Sequence, residues 1–118
     1  MSQKPETRIQ VACQVVFKKK KAFVIKTHGD RYTRPGIPDL IACVPTTIEE
    51  LSKIYSKTDK IGIFVGVENK TTSKLKVFDT ERQTQEIVGK EIINAGGIWF
   101  VTDNDKDVEE VLERLQGK

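Results

Sequence analysis

The sequence predicts an α/β fold in which a small mixed β-sheet is flanked by helices. Short apolar runs typical of strands alternate with segments whose apolar residues recur at helical spacing. The stretch Ile61–Lys70 is followed by a helical segment and then by a second apolar run, Ile98–Thr102. A strand–helix–strand order predicts a parallel pair of strands with a right-handed connection. The shorter apolar runs before this unit are expected to form an antiparallel meander, which makes the predicted sheet mixed.

The length and composition fit a single soluble domain that spans residues 1–118. Hydrophobic residues make up 37% and charged residues 31% of the chain, which is ordinary for a globular protein with one modest core. No apolar run approaches the roughly 20 residues that cross a bilayer, and the N-terminus lacks the apolar segment of a signal peptide. We therefore expect a cytoplasmic protein. Cys13 and Cys43 show no metal-binding spacing and are expected to be reduced, buried residues.

The first segment predicts an amphipathic helix that begins near Pro5, a residue that fits the first helical position. Its apolar stripe contains Ile9, Cys13, Val16 and Phe17. Glu6 lies on the same stripe and would face inward, although the helix dipole also favours an acidic residue at any helix N-terminus. The basic run Lys18–Lys21 comes next, and both a solvated helix end and a phosphate-binding patch are consistent with it.

The other elements follow from apolar periodicity and from capping signals. Thr47 with Glu50 forms a capping box for a short helix, and Gly96-Gly97 ends a longer one, as glycine does at helix C-termini. An Asp/Asn cluster at 103–105 caps a final helix. In chain order, the predicted segments are strands at 22–26 and 38–44, a short helix after Thr47, the strand 61–70, a helix at 80–94, the strand 98–102 and the C-terminal helix.

The strand Ile61–Lys70 ends in two charged residues, Glu68 and Lys70. Because side chains alternate along a strand, these two point to one face, and the apolar residues before them point to the other. Gly62 and Gly66 lie on the charged face and leave room for a close approach to the backbone. Burying a carboxylate and an amine at the end of an apolar strand costs free energy unless another group pairs with them.

A metal site at the strand ends would supply that partner. Asp39 stands at the entrance of the preceding strand, and neighbouring strands lie about 4.8 Å apart, so Asp39 can approach Glu68 and Lys70 if the two strands are adjacent. Carboxylates suit Mg²⁺, which also takes waters and the oxygens of a bound phosphate. A lysine beside such an ion can orient the attacking water and neutralise developing charge.

The order of these residues resembles the PD-(D/E)XK nuclease signature. Pro38-Asp39 is followed by Glu68-Asn69-Lys70, and a wider pattern adds Arg34-Pro-Gly-Ile-Pro-Asp39 before it and Gln85 with Ala95-Gly-Gly97 after it. This wider pattern, from about Arg34 to Thr102, is similar to the virus-type replication-repair nuclease (VRR-NUC) group. The resemblance implies a restriction-endonuclease-like core that hydrolyses phosphodiester bonds in DNA.

The resemblance also implies the roles of individual residues. Asp39, Glu68 and the main-chain carbonyl of Asn69 would bind Mg²⁺ or Mn²⁺, although Asn69 replaces the aliphatic residue that is usual in the group. Lys70 would engage the attacking water and the scissile phosphate.

Two residues from helices would complete the implied site. Gln85 shares the inward face of the helix 80–94, whereas Gln83 falls nearly opposite it, so Gln85 is the glutamine expected to support the site. Glu6 would match the acidic residue that the group often places on its first helix, as a possible further metal ligand.

The implied partner is branched or otherwise structured DNA, including four-way (Holliday) junctions, in replication, repair or recombination in a bacterial or phage-infected cell. Members of this size are expected to be homodimers. The segment 45–60 is longer than the tight hairpin expected there and is a candidate for a dimer or DNA contact. The residues expected to touch DNA are Arg31, Tyr32, Arg34 and Lys74.

Two other functions remain open. A non-catalytic nucleic-acid-binding domain on a nuclease scaffold would bind DNA in a salt-sensitive way without cutting it. A protein-interaction domain would show no DNA affinity. Each residue also has an ordinary explanation, because Asp39 suits a turn and Glu68 with Lys70 can be a solvated ion pair. The complete set of Asp39, Glu68 and Lys70 favours the nuclease.

Overall fold

Four helices and four short strands alternate along the part of the chain that the computed structural model describes, residues 5–27, 35–75 and 77–117. In chain order they are α1 Pro5–Lys19, β1 Phe23–Lys26, β2 Leu40–Cys43, α2 Ile48–Ser52, β3 Val65–Asn69, α3 Thr80–Asn94, β4 Ile98–Thr102 and α4 Asp105–Gln116, with a 3₁₀ turn at Thr72–Lys74. They divide into two compact units. The first reaches Gly62 and includes Asn94–Gly96, and the second contains Ile63–Ile93 and the chain from Gly97. The predicted α/β class is confirmed.

The first unit is built on the antiparallel pair β1–β2, against which α1 packs. The register runs from Phe23 opposite Cys43 to Lys26 opposite Leu40. The predicted antiparallel pairing is confirmed, and both strands lie within two residues of their predicted boundaries.

The cysteines are both free thiols, as their spacing predicts, but only Cys43 is buried. Its Sγ donates a weak hydrogen bond to the carbonyl of Ala95 at 3.4 Å. Burial raises the pKa of the Cys43 thiol, so this group stays protonated and unreactive at neutral pH. Cys13 is exposed on α1, and the prediction of a buried residue is wrong there.

Glu6 is exposed as well, in the first turn of α1, so the inward orientation is wrong and the alternative of an acidic residue favoured by the helix dipole agrees with the structure. The dimensions of the elements explain both errors. α1 has 15 residues and spans about 22 Å, whereas each strand beneath it has four residues and spans about 13 Å. The strands cover only part of the helix, and no residue of α1 is buried.

α2 begins at a cap that the sequence predicts. The Thr47 hydroxyl accepts a hydrogen bond from the Glu50 N–H at 3.1 Å, which satisfies one of the unpaired donors of the first turn. The helix ends at Ser52 after five residues. Its apolar residue Ile48 and the following Ile54 are strongly exposed, so the segment 45–60 presents apolar side chains on the surface of the first unit.

The second unit contains the predicted parallel pair. β3 and β4 run in register from Val65 opposite Ile98 to Asn69 opposite Thr102, and α3 connects them. The unit packs closely at Gly89, where an added Cβ would lie 2.2 Å from the Trp99 ring. Only glycine fits this position, because no side chain can occupy the space that the indole fills.

α3 and α4 begin and end close to their predicted boundaries. α3 ends at Asn94, where Gly96 adopts a φ of +93°, a conformation that suits glycine. The Asn104 side chain caps α4 by accepting a hydrogen bond from the Asp107 N–H at 3.1 Å. At the start of α3, the Asp79 carboxylate accepts from the Arg82 N–H at 2.9 Å, a cap that the sequence analysis did not identify.

β3 is shorter than the strand predicted over 61–70. Its ladder begins where the Phe64 carbonyl accepts the Ile98 N–H at 2.9 Å, and β4 has only five residues. Ile61 and Ile63 precede this ladder and are 52% and 46% exposed. The length of β4 therefore sets the length of β3, and the apolar pattern alone overestimated it.

The strands form two two-stranded sheets within the described residues, whereas we expected one mixed sheet. The orientation within each pair is as predicted. The orientation of β3 and β4 follows from a local connection, since parallel neighbours need a crossover such as the one that α3 provides. No local signal specifies pairing between β2 and β3, so the single-sheet prediction had a weaker basis. No helix among the described residues is long and apolar enough to span a membrane.

Candidate functional site

The end of β3 places Glu68 and Lys70 on the same face, as predicted. Lys70 follows the last strand residue, and its N–H donates to the Thr102 carbonyl at 2.9 Å. This bond continues the ladder by one residue, so the alternation of side chains extends to Lys70. Both residues are half-buried. The Glu68 carboxylate makes no hydrogen bond or ion pair with any described residue.

α3 covers the earlier part of this face. An added Cβ at Gly66 would lie 3.0 Å from Ile92 Cδ1 and 3.4 Å from Trp99 Cδ1. The room that this glycine provides is therefore filled by the second unit's own side chains. A Cβ at Gly62 would meet nothing within 4 Å. The close approach predicted from the glycines occurs only at Gly66, and its occupant is α3.

Glu81 of α3 links the two polar residues that the sequence analysis placed in the site. Its Oε1 lies 3.4 Å from Lys70 Nζ and accepts a hydrogen bond from Gln85 Nε2 at 3.3 Å. The Lys70 side chain is only 14% exposed, whereas the Glu81 side chain is 69% exposed. The mostly buried lysine side chain thus has one solvated carboxylate as its ion-pair partner among the described residues, and its ammonium retains unused hydrogen-bond donors.

Gln85 faces inward and Gln83 is exposed, which confirms the helical-wheel prediction. Gln85 Oε1 is buried and has no hydrogen-bond partner among the described residues. The amide orientation follows from Glu81, because a carboxylate oxygen accepts from the Nε2 side. An unpaired buried acceptor costs about 1–3 kcal/mol, and a bound water, cation or donor would remove that cost.

Glu81 is the polar residue of this face that the sequence analysis missed. It lies four residues before Gln85 and one turn earlier on the same helical stripe. Residues four apart on a helix are neighbours, so the inward position of Gln85 was the signal that could have identified Glu81.

Asp39 and Glu6 belong to the first unit. Asp39 directly precedes β2, as predicted, and its carbonyl accepts the Thr27 N–H at 3.0 Å. The Asp39 carboxylate is exposed and makes no bond with a described residue. Turn chemistry at Asp39 thus involves the main chain and leaves its carboxylate available for a ligand. Glu6 lies exposed in the first turn of α1.

The four predicted DNA contacts divide into two groups. Arg31, Tyr32 and Arg34 lie outside the described residues, so their prediction stays a prediction. Lys74 is exposed in the 3₁₀ turn after β3. It borders a cavity of about 270 Å³ whose lining comprises Asn69, Lys70, Thr71, Lys74, Val77, Asp79, Glu81 and Arg82. The cavity places two further cationic side chains, Lys74 and Arg82, beside Lys70, together with the carboxylates of Asp79 and Glu81.

A second depression, of about 780 Å³, lies between Lys70 and α4. Asp103 borders it, and its carboxylate accepts hydrogen bonds at 2.7 Å from the Thr72 hydroxyl and from Asn104 Nδ2. These bonds, with that of Thr72 the larger effect, lower the pKa of Asp103. The carboxylate thus ties the turn after β3 to the start of α4, which makes it a structural group.

The donor chemistry of the α3 face fits a hard divalent cation. The Glu68 carboxylate and Gln85 Oε1 are oxygen atoms without partners among the described residues, and oxygen ligands suit Mg²⁺ and Mn²⁺. Within residues 5–27, 35–75 and 77–117, no three His, Cys, Asp or Glu side chains form a group that could hold a metal ion. Searches against family models, curated proteins and solved structures find no match to this chain.

Proposed function

We propose that this protein is a metal-dependent, structure-specific DNA endonuclease with a restriction-endonuclease-like core. One observation supports the proposal above the others. A half-buried carboxylate, the ammonium of a mostly buried lysine side chain and a buried amide oxygen lie on the side of β3 that adjoins α3, and each has hydrogen-bonding capacity that no described residue uses. The residues are Glu68, Lys70 and Gln85. Such incomplete pairing is unfavourable in a purely structural face and is typical of a site that binds a ligand.

Each of these residues has a definite task in the proposal. Glu68 and the Asn69 carbonyl hold Mg²⁺ or Mn²⁺, and Asp39 is the second carboxylate that the resemblance to the PD-(D/E)XK signature implies. When bound, the ion polarises the scissile phosphate and lowers the pKa of a coordinated water. Lys70 donates hydrogen bonds to that water and to a phosphate oxygen, which orients the nucleophile and offsets developing negative charge.

Glu81 and Gln85 act on the position of Lys70. Because Glu81 is bonded to both side chains, it keeps the ammonium at the end of β3 and the glutamine amide turned toward it. Gln85 Oε1 remains available to accept a hydrogen bond from a water in the site. Glu6 is a candidate further ligand, as the resemblance to the VRR-NUC group implies.

The proposed substrate is branched DNA, and the proposed assembly is a homodimer. One small domain provides one site, so paired cuts across a junction require two copies related by a two-fold axis. Lysine and arginine contacts to phosphates give recognition of shape with little reading of sequence.

Cleavage of labelled DNA tests the proposal directly. Purified protein is incubated with four-way junction, flap and duplex DNA in Mg²⁺, Mn²⁺ or EDTA. We expect cleavage of branched substrates in either metal and none in EDTA. Lys70→Met, which keeps the buried stem, should reduce cleavage at least about 100-fold, the effect of losing one preorganised charge-stabilising donor.

The matched control is Lys90→Met, which removes an exposed lysine from α3 in the same unit. It should cleave at the wild-type rate. Full activity of Lys70→Met would end the assignment. DNA binding without cleavage in any metal would instead support the non-catalytic scaffold, and loss of both would support a protein-interaction domain.

A further inference from the structure

The charge of the chain is divided unequally between its two units. Residues 1–62, which form most of the first unit, contain 12 Lys and Arg against 6 Asp and Glu, a formal net charge of +6. Residues 63–118 contain 8 against 11, a net charge of −3. The overall value of +3 therefore conceals a basic unit, and a basic region is the electrostatic mark of a polyanion-binding surface.

The densest part of this charge is the basic turn, Lys18–Lys21, where α1 ends and the chain enters β1. All four side chains are exposed. None forms an ion pair or a side-chain hydrogen bond within the described part of the chain. Lysines near a helix C-terminus suit the negative end of the dipole, but that benefit falls off beyond the last turn. It accounts for Lys18 and Lys19, which lie in α1, and not for the two lysines after it.

Lys21 occupies a position that normally favours glycine. Its φ is +64°, and it is the only residue other than glycine with a positive φ in residues 5–27, 35–75 and 77–117. Two hydrogen bonds show a Schellman end, in which the N–H of Lys21 donates to Lys18 O at 3.1 Å and the N–H of Ala22 donates to Phe17 O at 3.0 Å. A lysine is strained here and a glycine is not. The turn therefore keeps a charge where the backbone alone would favour glycine.

We propose that the basic turn binds the phosphate backbone of the DNA substrate. The inference rests on the proposed function for the choice of substrate and adds the surface that holds it. Lys18 and Lys19, in the last turn of α1, point about 100° apart, and Lys20 and Lys21 continue the charge past the helix end, so the four lysines do not form a stripe along one helix face. This arrangement suits a rod-like polyanion crossing the end of α1. A flat anionic membrane would be met better by lysines along one helix face.

Binding is measured in EDTA, so that it is independent of cleavage, by fluorescence anisotropy of labelled junction DNA at increasing KCl. The test variant is Lys19→Gln/Lys20→Gln. The matched control is Arg8→Gln/Lys26→Gln, which removes two exposed cationic side chains from the same unit. We expect the salt slope of the test variant to fall by about 1.8, or 0.9 per lost phosphate contact. Its Kd should rise at least tenfold, with little change in the control.

Lys21→Gly separates charge from folding. Removing the strained lysine should raise Tm, and removing its charge should lower the salt slope by about 0.9. A variant that is more stable yet binds DNA more weakly supports the inference. A variant that binds as the wild type does would show that Lys21 serves only the turn and would count against it.

The outcomes distinguish this inference from the proposed nuclease activity. Equal losses in the two double variants would show a general charge effect and overturn the basic turn as a surface. The inference would also be overturned if the test variant bound DNA as the wild type does but lost binding to phosphatidylserine-containing vesicles, with vesicles of phosphatidylcholine alone as the reference. DNA binding through the turn by a wild-type protein that cleaves nothing in Mg²⁺ would refute the nuclease and leave this inference intact.

Discussion

The two compact units differ in how their charged side chains are satisfied. In the basic first unit, Lys53 forms an exposed ion pair with Glu50 of α2, whereas Lys18–Lys21 and Asp39 have no side-chain partners among the described residues. In the acidic second unit, by contrast, Lys70 and Arg82 are each bonded to a glutamate of α3. Unpaired exposed charge suits attraction of a polyanion, whereas a paired, mostly buried lysine suits a fixed position in a site. In the proposed function, DNA binding would therefore depend mainly on the first unit and chemistry mainly on the second.

The largest expected effect is structural and concerns the second unit. Gly89→Ala would place a Cβ 2.2 Å from the Trp99 ring, so the indole or α3 must move. Overpacking of this kind costs about 3 kcal/mol, which exceeds the roughly 1 kcal/mol that alanine gains over glycine inside a helix. Trp99 is the only tryptophan in the chain, so its fluorescence during urea unfolding reports the loss in the second unit.

The matched control is Gly62→Ala, where an added Cβ meets nothing within 4 Å. It should leave the Trp99 transition within about 0.5 kcal/mol of the wild-type value. Protection of the buried Cys43 thiol, measured by labelling in a Cys13→Ser background, reports the first unit. We expect Gly89→Ala to shift the Cys43 transition less than the Trp99 transition. An unshifted Trp99 transition would contradict the packing at Gly89.

The next effect concerns Glu81 and the proposed chemistry. Glu81→Gln removes the charge that positions Lys70 and keeps a similar shape. The lost pair is mostly solvated on the Glu81 side, so the free energy of unfolding should fall by less than about 1 kcal/mol. If Glu81 positions Lys70, the single-turnover cleavage rate at saturating protein should fall about tenfold, equivalent to roughly 1.4 kcal/mol. The Kd for DNA should not change.

Glu86→Gln provides a control on the same helix. It breaks the Arg82–Glu86 pair, whose Nε–Oε1 distance of 3.3 Å is close to that of the Lys70–Glu81 pair, and it should leave the cleavage rate unchanged. Equal rates in the two variants would show that Glu81 has no particular role. A rise in Kd with an unchanged rate would assign Glu81 to DNA binding and would weaken the division between the units.

Sequence reasoning succeeded where local rules decide the structure. The boundaries of α3 and β4, the parallel pairing through α3 and the inward position of Gln85 agree with the prediction. Each depends on helical periodicity, a glycine stop or the crossover rule, which act within about 35 residues of chain. The capping residues Thr47 and Asn104 were predicted for the same reason.

It failed where the outcome depends on what packs against an element. The exposure of Cys13 and Glu6 follows from the shortness of the hairpin under α1, and the short β3 follows from the length of β4. Gly89 is a signal of this kind in the sequence, because a glycine inside a helix is unfavourable unless a neighbouring group fills the space that a side chain would take. Trp99 fills it. The lengths of partner elements are set by tertiary contacts, which periodicity does not contain.

The smallest expected effect is an acid dependence that belongs to the second unit. Hydrogen bonds from Thr72 and Asn104 lower the pKa of Asp103, so the folded state favours its charged form. Its stabilising contribution is therefore complete above the ordinary aspartate pKa of about 3.9 and is lost as the pH falls through the lower folded value. Asp103→Asn should flatten the pH dependence of the Trp99 unfolding transition below about pH 4. Near pH 7 the slope of the curve should stay almost unchanged.

Thr72→Val removes the hydrogen bond with the larger effect on the pKa of Asp103, and it should flatten the curve in the same direction. Asp105→Asn, whose side chain makes no hydrogen bond with a described residue, should keep the wild-type slope. An Asp103→Asn curve that coincides with the wild-type curve at every pH would show that these bonds do not link the end of β3 to α4, and the position of Lys70 would then depend on Glu81 and the β-ladder alone.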